Sequence, residues 1–122
     1  MKTIKNLSKF LSTVVIVLGS SSAFAQIDSH YQSKIEAACT ASVRTKKLKD
    51  LDGVCACVAK THFQSATQEA SENQAISQLE WAIAYYKASS PQELSELTNR
   101  LPYMVDFDLQ VVNDCLIEVR GK

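Results

Sequence analysis

Apolar residues recur three and four positions apart along most of this chain and strand signals are lacking, so the pattern predicts helices throughout. A first helix should open with Asp28 or Ser29 as its N-cap and run to about position 47, with Tyr31, Ile35, Ala38, Cys39 and Ser42 or Val43 on one face. After a turn over "KLKDLDG", a second should run from about position 51 to about 68. Its stripe is Leu51, Val54, Cys55, Val58, Ala59 and His62, and Asp50 and Asp52 sit at the end where negative charge is favoured. The polar stretch "TQEASEN" interrupts the pattern. Ser71 with Gln74 three positions on is a capping-box pattern that starts a third helix; Ile76, Leu79, Ile83 and Tyr86 form its stripe and Trp81 and Tyr85 its flank. "SSPQE" gives the sharpest start in the chain, with Ser90 as N-cap, Pro91 in the first helical position and Glu93 closing the box. That short fourth helix carries Leu94, Leu97 and Leu101 and stops before Pro102. A fifth, from about 102 to 120, turns Met104, Phe107, Val111, Val112, Cys115, Leu116 and Val119 inward and ends at Gly121.

The first 25 residues break this pattern and read as a targeting segment. Lys2, Lys5 and Lys9 precede the apolar run "FLSTVVIVLG", and "AFA" at 23–25 supplies a small-x-small cleavage signal, so residues 1–25 are expected to be a cleaved signal peptide. The run is far short of the ~20 residues a transmembrane helix needs. Gln26 is not a cysteine, so no lipoprotein anchor is expected, and no membrane insertion after cleavage. Residues 26–122 then form one small helical domain, exported to the periplasm or released from the cell.

Cleavage also changes the charge. It removes three of the 13 basic residues and none of the 13 acids, leaving a slightly acidic chain. Within it, "RTKKLK" at 44–49 packs four positive charges into six residues, whereas 61–119 holds nine acids against Lys87 and Arg100. A mildly acidic protein with one basic knot is not a general nucleic-acid binder.

All four cysteines, Cys39, Cys55, Cys57 and Cys115, lie after the leader. An even count in an exported chain of this size argues for two disulfides. Cys55 and Cys57 sit two apart on a helix, turned by about 200° from each other, so they should point apart and clip the second helix on both flanks rather than bond together. With the turn centred near 48–49, Cys39 would lie level with 57–59. This favours Cys39–Cys57 and Cys55–Cys115 over the reverse pairing, although sequence alone does not fix connectivity.

Chemical motifs are scarce. There is no Cys-x-x-Cys, no haem attachment motif, no Gly-x-Ser-x-Gly and no His-Glu-x-x-His, so no enzyme activity and no cofactor are expected. A metal site from Cys55, Cys57 and His62 fails on spacing, because Cys55 and His62 are about 10.5 Å apart along one helix axis. "DFD" at 106–108 and the pair Glu93 and Glu96 read as helix-start and solvated charges. Trp81 and Tyr85, at i and i+4, form either core packing or an exposed contact patch. They and the basic knot, Arg44, Lys46, Lys47 and Lys49, are the candidate partner surface.

The layout of Cys39, "VCACVAK" and Cys115 behind a leader resembles a loose group of small exported proteobacterial proteins with a Cys…Cys-x-Cys-Val/Leu-Ala pattern and mostly no assigned activity. The resemblance implies a helical fold and disulfides. The expectation is therefore an all-α bundle of four to five helices with two disulfides, a non-catalytic protein that binds another protein, of immunity or chaperone/adaptor type. The alternative is a Cys-x-Cys thiol-redox or metal-handling protein.

Overall fold

The computed structural model describes residues 27–121. Within them lie five helices, α1 (His30–Ala41), α2 (Leu51–Ala66), α3 (Glu72–Lys87), α4 (Pro91–Arg100) and α5 (Pro102–Arg120), and no strand. α2 is the hub. It packs on α1, α3 and α5, while α1 also packs on α3, and α4 bridges α3 to α5.

The helix starts follow local chemistry. At α1 the Asp28 carboxylate accepts from the His30 backbone N–H at 2.8 Å, so Asp28, not Ser29, fills the cap. That hydrogen bond, followed by the one from the His30 ring, holds the Asp28 carboxyl below the usual range. Ser71 accepts from the Gln74 N–H, and Ser90 and Glu93 form the full reciprocal box with Pro91 at the first position.

α1 ends six residues earlier than its apolar spacing suggests. Ser42 is extended (φ −70°, ψ 140°), and the Ser42 and Thr45 side chains take over the local backbone groups. Thr45 Oγ1 donates to the Cys39 carbonyl, and Ser42 Oγ accepts from the Arg44 N–H. Short polar side chains of this kind compete with helical hydrogen bonding. The chain then crosses to α2 through 42–50, with Asp50 left-handed at φ 54°.

This early end overturns the expected disulfide pairing. The bonds are Cys39–Cys55 and Cys57–Cys115, with Cα atoms 5.6 and 5.7 Å apart, not Cys39–Cys57 and Cys55–Cys115. The expected register assumed a helix to 47 and a tight turn. With α1 stopping at Ala41 and nine residues in the connection, Cys39 lies level with the first turns of α2, where Cys55 faces α1. Cys57 points to the opposite flank, beside Thr61, whose Oγ1 is 4.0 Å from Cys115 Sγ. The two-flank clipping of α2 is as the helical geometry requires.

The apolar core has two lobes. One gathers Ile35, Ala59, Leu79, Trp81, Leu97 and Met104; the other surrounds the disulfides with Ala38, Val54, Val58, Tyr86 and Val111. Ile83, Tyr85 and Phe107 touch both. On α3 the buried face runs through Ala75, Leu79, Ala82 and Tyr86 and extends to Trp81, while Ile76 and Ile83 are only half-buried. α4 folding over the Trp81 flank explains the shift.

Candidate interaction surface at residues 42–50

Trp81, placed by its spacing on a helix flank, is fully buried and so presents nothing to a partner. Its indole N–H donates to the Leu97 carbonyl at 2.8 Å, which satisfies the polar edge of the ring inside the core. Tyr85 stacks on it with centroids 4.7 Å apart and is half-buried. Above Tyr85 lies the Arg44 guanidinium, 4.3 Å from the ring centroid. Arg44 also donates to the Tyr85 carbonyl and, at 3.0 Å, to the Ala88 carbonyl. A cation on the last carbonyls of α3 both caps the helix and complements its dipole. The basic knot and the aromatic flank, separate in sequence, are thus joined through Arg44. Lys46, Lys47 and Lys49 stand exposed along the same connection.

Beneath this surface is a polar cluster that the sequence reading misplaced. Asp108 is buried, not solvated, and one of its carboxylate oxygens receives two groups. The Tyr86 hydroxyl donates to it at 2.6 Å, and His62 Nε2 lies 2.8 Å away. The three residues come from α5, α3 and α2, so the cluster ties three helices at one point. Burial, and then the neighbouring Asp108 charge, push the Tyr86 phenol far above its ordinary value. Burial raises Tyr85 as well. Both phenols therefore stay protonated, and Tyr86 acts as a fixed donor. The legible signal was that Asp108 shares the three-four spacing of Met104, Val111 and Cys115, a core stripe. His62 turns to Asp108, and Cys55 and Cys57 are bonded to different partners, so the three do not converge on a common point. Asp106, the other acid of "DFD", is exposed.

Two clefts flank the connection, with Tyr86 lining both. One, of about 270 Å³, lies between the connection, the end of α3 and α5; Arg44, Leu48, Tyr85, Leu109, Val112 and Leu116 line it, with Asp108 and Tyr86. The other, of about 400 Å³, lies between α1 and the end of α3, against Lys34, Ala38, Val43, Lys87 and Ala88. Val43, on its wall, is 56% exposed, and Leu109, on the wall of the first cleft, is 58% exposed. Apolar side chains held open beside preformed clefts suit binding.

No family model, no curated protein and no solved structure matches this chain.

Disulfides of this kind indicate a non-cytoplasmic protein. Among the described residues no helix is long and apolar enough to cross a membrane.

Proposed function

We propose that this is an exported, non-catalytic binding protein whose partner is another protein, docked on the connection at 42–50 and its two clefts. The observation that carries the reading is the exposed Val43 on a connection flanked by two clefts with largely apolar walls, with Lys46, Lys47 and Lys49 exposed further along the same connection. The frame behind this connection is stiff. The Cys39–Cys55 bond closes the loop that contains it, Arg44 pins it to α3, and the Tyr86–Asp108–His62 cluster fixes the helices beneath. Such pre-organisation lowers the ordering cost of association. The leader expected at 1–25, which lies outside the described residues, supports export to the periplasm.

The test is a co-purification of the mature protein from periplasmic extract beside Leu109→Arg, which places a charge on one cleft wall without touching the core. A protein retained by the parent and lost by the variant supports the reading. Equal retention, or none, argues against it.

A further inference from the structure

We propose that the partner presents an acidic segment with two apolar anchor side chains, one for each cleft, laid across the ridge at 42–44. This deepens, and rests on, the partner-binding reading of the same surface.

The charge distribution is the first argument. Of the nine Lys and Arg residues at 27–121, six surround the connection and its clefts: Lys34, Arg44, Lys46, Lys47, Lys49 and Lys87. None of the nine makes an ion pair with a described residue, so what distinguishes the six is clustering: the other three cations, Lys60, Arg100 and Arg120, are spread over α2, α4 and α5. Asp50 and Asp52 follow the knot, but they sit at the start of α2, where its N–H groups favour them. A chain that is acidic elsewhere thus gathers six of these nine positive charges around one edge. The electrostatic complement of that edge is an acidic surface, and complementarity of this kind selects partners and speeds encounter.

Shape is the second argument. A flat anionic surface such as a bilayer would leave the clefts unfilled, because they are concave. A polypeptide crossing the ridge can place one apolar side chain against Ala38 and Val43 and another against Leu109, Val112 and Leu116, with carboxylates near Lys34, Lys87 and Arg44 on the cleft walls and the exposed lysines of the same connection. Polypeptides, unlike bilayers, offer apolar and acidic groups alternating over such short distances.

The experiment places a photo-reactive amino acid at Val43, at Leu109 and, as a control, at the exposed Ser95 of α4, in the full chain expressed with its own leader. Adducts are identified by mass spectrometry in the parent background and in Lys46→Glu/Lys47→Glu/Lys49→Glu. All three lysines are exposed, so the charge-reversed chain should keep its melting temperature. The expected result is a protein adduct at Val43 and Leu109 and not at Ser95, mapped to a peptide of net negative charge. Its yield should fall roughly tenfold or more on charge reversal. In the parent it should fall likewise when salt is raised from about 0.05 to about 0.5 M, a readout that needs no variant. A neutral or basic partner peptide, a yield indifferent to both charge reversal and salt, or a phospholipid or nucleic-acid adduct at Val43 would overturn the proposal. A charge-indifferent protein adduct at Leu109 alone would overturn it while leaving the binding reading standing; no adduct at either site would remove both.

Discussion

At the scale of single residues, the decisive side chain is Asp108. A carboxylate on a core stripe is expensive to bury, and its oxygen is met by Tyr86 and His62 from two other helices. Asp108→Ala would strand a buried hydroxyl and a buried imidazole at roughly 1–3 kcal/mol each. Urea unfolding should show a loss within the sum of those two, whereas Asp106→Ala, at an exposed site, should change stability by less than about 0.5 kcal/mol. The raised Tyr86 phenol gives a second expectation, with its sign set by linkage. Below pH 10 both folded and unfolded chains hold the proton. Above it the unfolded chain releases the proton and the folded chain does not, so stability falls as pH climbs beyond 10. Tyr86→Phe should flatten that alkaline decline, measured by urea titrations at successive pH values, with Tyr85 leaving a smaller residual slope. None of this was legible from "DFD" taken as a local motif. A local motif carries charge and spacing but not the identity of the helices that close over it.

Among the helices, the start signals acted locally and were readable, as were the ends of α4 and α5 and the buried stripe of α2; the end of α1 and the buried face of α3 were not. The box at Ser90, Pro91 and Glu93 works within one turn, and Ser90→Ala should cost about 1 kcal/mol, seen as a lower thermal midpoint. By contrast α1 stops at Ala41 because Thr45 bonds back to the Cys39 carbonyl while the Ser42 hydroxyl accepts from the Arg44 N–H, a local hydrogen-bonding scheme that apolar spacing does not register. Trp81 shows the same limit for faces. Its spacing left core and surface open, and α4 settled the matter by laying Leu97 across it. The two disulfides differ in kind as well. Cys39–Cys55 spans 16 residues and Cys57–Cys115 spans 58, so chain-entropy arguments assign them about 3 and about 4 kcal/mol. Cys57→Ser/Cys115→Ser should therefore lower stability more than Cys39→Ser/Cys55→Ser. In graded reductant Cys57–Cys115 should open first, since Cys57 is only half-buried while Cys39 and Cys55 are both buried. Differential alkylation with mass spectrometry reads that order.

For the whole molecule, the expected behaviour is that of a small stapled bundle. Non-reducing peptide mapping of the exported protein should find the mature start at Gln26 together with the pairs 39–55 and 57–115. Full reduction should lower the melting temperature sharply, because a core of this size buries limited surface without cross-links. The sequence by itself determined the all-helical class, the five segments and most of their starts, and the opposed directions of Cys55 and Cys57. These follow from periods and caps that act within a few residues. Tertiary structure alone decided which cysteine meets which, that Trp81 is interior, that Asp108 joins Tyr86 and His62, and that Arg44 brings the basic knot against the end of α3. Each of those depends on where one helix stops and which neighbour covers it, and a pairing across 16, 22 or 58 residues is set by packing that no short window of sequence contains.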